Sequence, residues 1–222
     1  MLPDFYSTNT MASRHNLTSG LIDYIEAEIL PRYDTFDKAH NRTHAITVLA
    51  KSLRLAQHYD VSTAMAYTIA AYHDLGLVEG REHHHTTSAR IVREDKRLKE
   101  MFTAEEIEIM ADAVEDHRAS SSNPPRTIYG KIVAEADRII DSETIMRRTI
   151  QYGLSHYPSL NDAGHIERAV AHIKEKYGEG GYLKLWIPES DNAARLQQFR
   201  TLIDNEPLLV ESLKKIYNEE RD

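Results

Sequence analysis

Five residues combine metal-binding chemistry with positions where a polar side chain needs a reason. His44 stands four residues before Val48 and shares its apolar stripe. His73 and Asp74 follow Ile69 and Ala70 by four, in a run that is apolar nearly all round. His117 continues the series Ile107, Met110, Val114, and Asp137 lies between Val133 and Ile140. Imidazole and carboxylate on core-facing positions are costly unless partnered. Any one of them is satisfied by a backbone hydrogen bond. For all of them together, the simplest common solution is a divalent metal, which neutralises the carboxylates and uses imidazole in its neutral form. Such an ion, with open positions, polarises a bound oxygen and makes hydroxide available near neutral pH.

The stretch "AYHDLGLVEGREHHHTTSA", residues 71–89, adds three consecutive histidines, His83, His84 and His85. The plain alternative for them is a loose surface tract that binds metal weakly. His40 lies one helical turn before His44, but "HNRTH" lacks the glutamate that serves as base in H-E-x-x-H. A zinc protease is therefore disfavoured, and His40 reads as a partner behind His44 or as a helix-start residue. The chain has no cysteine, so a disulfide framework and a thiolate metal site are both excluded. Imidazole with carboxylate suits iron, manganese, zinc, nickel or cobalt. Arg81, Arg118 and Lys131 are near the ligand candidates in sequence and are candidates to hold phosphate, although each alone reads as a surface charge. His172 falls off the apolar stripe of its helix and reads as solvated.

Helical periodicity recurs along the chain and period-two alternation is scarce, which predicts an all-α fold. A first helix is expected over 19–30, stopping before Pro31. A second, over 41–58, carries Ala45, Val48, Leu49, Ser52, Leu53 and Ala56 on one stripe. The third, over 63–75, is apolar on nearly every side and so is central, with Gly76 ending it. A fourth is expected over 87–95. A fifth opens on Thr103 and Glu106, spaced as a capping box, and gives way at "ASSSNPP". "YGKIVAEADRIIDSETI" reads as one core helix. Ile166, Ala169, Val170, Ile173 and Tyr177 form a further stripe closed by "GEGG", and two short helices follow over 193–203 and 208–217, with Pro207 at a first helical position.

With 222 residues, 41% of them hydrophobic, the chain can bury the core of one domain. A single domain over 1–222 is expected, with a catalytic core over about 20–145 and a helical layer over about 146–222 that reads as a lid, a packing layer or a homo-oligomer surface. A net charge of −8 argues against a partner held by neutralising many phosphates, such as a nucleic-acid duplex, yet allows a small anion in a local pocket. The apolar runs fall short of a membrane span, so no membrane partner is expected. "MLPDFYSTNTMASRHNL" does not look like a signal peptide, which points to the cytoplasm.

The order of His44, "HD" at His73 and Asp74, and Asp137 within "AEADRI" resembles the H…HD…D pattern of the HD-domain metal-dependent phosphohydrolases. "DKAHNRTHAITV" is similar to the family's opening motif and "IAAYHDLGL" to its HD helix, and the resemblance covers roughly residues 20–145. It implies an all-helical HD bundle with additional C-terminal helices. In that bundle His44, His73, Asp74 and Asp137 hold one divalent metal, and Asp74 orients the water that attacks a phosphoester or phosphoanhydride. Some branches carry two more histidines and a second metal. "EHHHTTSA" and "EDHRAS" resemble those segments, implying His84, with His85 as runner-up, and His117. The substrate implied is a small nucleotide or another phosphorylated metabolite. Two readings of other classes stand beside it, an HD-fold di-iron oxygenase and a degenerate nucleotide-binding sensor.

Overall fold

The computed structural model describes residues 16–37, 39–118 and 123–221. Among them the chain is all-α, with no strand. They fall into two compact units, the described residues of Met1–Asp116 with Pro125–Val133, and those of His117–Pro124 with Ala134–Asp222. The reading of the N-terminus over residues 1–15, Lys38 of the opening motif and positions 119–122 of "ASSSNPP" lie outside the described residues. Among the described residues, no helix is long and apolar enough to cross a membrane.

In the first unit, α1 (Ser19–Tyr24) is capped by Thr18, whose hydroxyl accepts from the Leu21 amide. The predicted stop before Pro31 does not occur. The chain continues through a π turn, Ile25–Ile29, into a 3-10 turn, Leu30–Thr35, with Pro31 in its first turn. Pro31 stands in the first turn of the 3-10 segment, where its fixed φ suits the turn. Helix α2 (Arg42–Ala56) starts at Asn41, whose side chain accepts from the His44 amide. Its buried stripe matches the prediction except that Leu55 takes the place of Leu53.

Helix α3 (Thr63–Tyr72) is buried from Ala64 to Tyr72. It packs against α2, against α4 (His84–Glu94) and against α6 (Ala104–Glu115), and α4 also packs on α6. The capping box of Thr103 and Glu106 is present. Between α4 and α6 the short α5 (Lys96–Met101) is an element that the sequence pattern does not announce, because only Leu98 of its six residues is buried.

Helix α7 (Ile128–Asp137) ends at Asp137 and does not run on through Ile140 as the apolar pattern suggests. Asp141 caps a new helix, α8 (Ser142–His156), by accepting from the Thr144 amide. Three further helices, α9 (Asp162–Tyr177), α10 (Asn192–Asp204) and α11 (Glu206–Arg221), pack with α8 in the second unit. Their shared core includes Ile150, Ala169, Ile173, Phe199, Leu209 and Leu213. His172 is half-buried there and not solvated, and burial lowers its pKa from the ordinary value.

Candidate metal centre

The HD pair sits where α3 stops. His73 is the C-cap with helical backbone angles, whereas Asp74 moves to φ −110, ψ 5, which turns its side chain out of the helical register. Tyr33, fully buried in the 3-10 turn after Pro31, fixes this exit. Its hydroxyl donates to the Ala71 carbonyl at 2.9 Å and accepts from the Asp74 amide at 3.3 Å, and its ring stacks on His73. The Ala71 carbonyl is one that a helix end leaves without a partner inside the helix. Nothing in the sequence pattern singled out Tyr33.

The histidine rings are aimed from behind. A carbonyl only accepts, so His73 must carry its proton on Nδ1 to bond Ala70 O at 2.8 Å. Its Nε2 then presents a lone pair 3.2 Å from Asp74 Oδ2 and 3.3 Å from His44 Nε2. His44 Nε2 lies 3.7 Å from the same carboxylate oxygen. On the other side of Asp74, His84 Nε2 lies 3.5 Å from Oδ1, while His84 Nδ1 donates to Arg81 O at 2.8 Å.

His84 owes its place to two local features. Helix α4 begins at His84, three residues earlier than predicted, so the ring projects from the first turn. Gly76 does not cap α3. It lies within a 3-10 turn, Leu75–Glu79, where a Cβ would collide with the His84 carbonyl oxygen and come within 2.6 Å of the Ser88 amide nitrogen. The Gly76 amide donates to Ser88 Oγ at 2.7 Å, so bare backbone is what brings the HD turn against α4. The positive-φ glycine of this region is Gly80, at φ 103.

A second brace joins the same elements. Tyr72 and Tyr24 both donate to Asp95 Oδ2, at 2.6 and 2.7 Å. Asp95 closes α4 and, through Oδ1, caps α5. Burial, and after it the Asp95 bond, hold the Tyr72 phenol far above its ordinary range, so it stays a donor. The residue before His73 is thereby tied to the helix that starts at His84.

The structure brings together His44, His73, Asp74 and His84. His83 points to solvent beside Glu82, and His85 meets His84 edge-on. His40 bonds Asp37 at 2.9 Å and lies edge-on to His44. His117 is 2% exposed and follows Asp116, the C-cap of α6; it belongs to the second unit, as does Asp137, the last residue of α7. Arg81 is exposed, Arg118 and Lys131 half-buried.

The donor set fits a divalent ion. His73 and His84 each have Nδ1 committed to a carbonyl and Nε2 facing a carboxylate oxygen, so a neutral imidazole turns its lone pair to an acceptor, an arrangement that a divalent cation among them would satisfy. Imidazole and carboxylate at this spacing supply both neutral and anionic ligands. Residues 41–140 match the family model for the HD domain. No curated protein and no solved structure matches the chain.

Proposed function

With an HD domain at residues 41–140, of a metal-dependent phosphohydrolase-type superfamily, we propose that this chain hydrolyses a phosphoester or phosphoanhydride in a small nucleotide or another phosphorylated metabolite. The supporting observation is the division of labour at Asp74, with Oδ2 facing His44 and His73 and Oδ1 facing His84. A carboxylate shared in this way suits two adjacent cation positions. In this reading His44, His73, Asp74 and Asp137 hold the first ion, and His84 and His117 hold the second with Asp74 between them. His117 is assigned from its place in the chain, one residue beyond the C-cap of α6, a helix packed on both α3 and α4.

A divalent ion held there supplies positive charge for a phosphoryl oxygen and acidifies water. The protein's own groups do the rest. Asp74 orients the attacking water, while Ala70 O and Arg81 O keep the imidazoles of His73 and His84 in the tautomer whose Nε2 carries the lone pair. Arg81, Arg118 and Lys131 are the cations assigned to the substrate's phosphate oxygens.

Phosphate release from a panel of nucleotides and sugar phosphates, run with iron, manganese, zinc, nickel or cobalt, tests this function. The expected result is release that requires added metal and stops on chelation. Absence of release from every compound with every metal would overturn it. Nucleotide binding without turnover would then identify a sensor, and oxygen consumption with iron an oxygenase.

A further inference from the structure

The last turn of α7, which ends on Asp137, is held by residues far downstream. Glu135 is fully buried, and both of its carboxylate oxygens accept hydrogen bonds, Oε2 from the Trp186 backbone amide at 2.7 Å and Oε1 from Asn192 Nδ2 at 2.8 Å. The same Asn192 nitrogen donates to the Glu135 carbonyl oxygen at 3.0 Å, across 57 positions of sequence. Arg138, itself buried, donates from its guanidinium to the Ala134 carbonyl oxygen. Carbonyls at a helix end have no partner within the helix. Here Ala134 finds its partner in the Arg138 guanidinium and Glu135 in Asn192 as well as the Arg138 amide, and the helix stops at Asp137 although the apolar pattern continues to Ile140. All of these residues belong to the second unit.

We propose that Asn192 and the Trp186 amide, acting through Glu135, are positioning groups for Asp137, so that metal retention depends on the 186–192 segment. This rests on the assignment of Asp137 as a ligand in the proposed function. Asn192 bonds both the side chain and the main chain of Glu135, fixing the rotation of the helical turn as well as its height. The stretch from Trp186 to the start of α10 thus serves the site by setting the direction from which its last carboxylate is offered. Partners that orient a ligand in this way typically change metal affinity by about 10- to 100-fold when removed.

The test is Mn2+ binding to the full chain, followed by the electron paramagnetic resonance of free Mn2+, with thermal midpoints recorded in parallel. Asn192→Asp sets a carboxylate against the Glu135 carboxylate and is expected to weaken the tighter Mn2+ site by roughly 10-fold or more. Glu135→Gln/Asn192→Asp restores an amide facing a carboxylate between the side chains with the polarity reversed, although not the bond to the residue 135 carbonyl oxygen, and part of the lost affinity should return. A merely structural contact would lower the midpoints of the variants and leave Mn2+ affinity in the folded protein unchanged, which would overturn the proposal. So would failure of the double variant to recover while it remains folded. Should Asn192→Asp not fold, Asn192→Ser removes the same donor without adding charge and carries the same expectation. Asp137→Asn is the control. Unchanged affinity there would show that Asp137 is not a ligand, overturning the proposal at its premise, whereas lost affinity in Asp137→Asn with parent affinity in Asn192→Asp would overturn the positioning role alone.

Discussion

His73 Nε2 stands 3.3 Å from His44 Nε2, and the HD aspartate lies beside both. The three groups come from the end of one helix and the first turn of another. Asp74→Ala should therefore remove the one anionic group among them, strip most of the tightly bound metal and abolish hydrolysis. The helical fold should persist, since the caps of α2 and α3 rest on Asn41 and Ser62. Metal analysis beside circular dichroism checks this, and a variant that kept full metal and full activity would rule out the assignment.

The approach of Gly76 to α4 predicts an effect out of proportion to one methyl group. Gly76→Ala would force a Cβ into the His84 carbonyl and the Ser88 amide, both backbone and unable to swing away. Overpacking of this kind costs about 1–3 kcal/mol. The expected outcome is a lowered thermal midpoint together with loss of metal from the His84 side, because the obstructed turn and the first turn of α4 must separate. Parent stability in this variant would show that the contact relaxes at no cost.

Much of the candidate site was legible because its imidazoles break a pattern. His44 and His73 interrupt apolar stripes, and the capping box at Thr103 fixed the start of α6 within a residue. The hydrogen bonds that aim the rings were not legible, since Ala70 O and Arg81 O are backbone atoms that any residue would supply. Tyr33 acts across 41 positions of sequence, a separation that local patterns do not report. The break after Asp137 was hidden by Ile139 and Ile140, which prolong the helical stripe although Ile140 packs in the core of the second unit. Gly76 reads as a helix stop in the sequence because closeness to another backbone leaves the same letter there as a cap.

Asp141 makes a pH-dependent contribution to stability. Its carboxyl is held below the ordinary value of 3.8 chiefly by the Thr144 side-chain and backbone bonds it accepts as the N-cap of α8. The folded-state pKa lies below the unfolded one, so unfolding takes up a proton at acid pH. The contribution is complete above the unfolded value and is lost as pH falls through the folded value. Asp141→Ala should cost about 1 kcal/mol near neutrality, the usual worth of a cap. Urea midpoints of parent and variant should converge as pH falls below about 4. A gap that stayed constant down to pH 3 would show that the charge of Asp141 is not what stabilises the helix start.

The number of ions follows from how Asp74 divides its oxygens. If Oδ1 and His84 hold a second cation with His117, the parent chain should bind about two metals, and replacing His84 and His117 together with alanine should leave about one. If the site takes a single ion and those imidazoles serve the phosphate, parent and variant alike should bind one. Loss of activity is expected in both cases and does not separate them, whereas stoichiometry does. The measurement is metal per chain after loading with iron or manganese and removal of free ion, on protein purified without chelators. A parent that never exceeds one metal per chain would sink the two-ion reading and reassign His84 and His117 to phosphate binding or to protonation of the leaving oxygen.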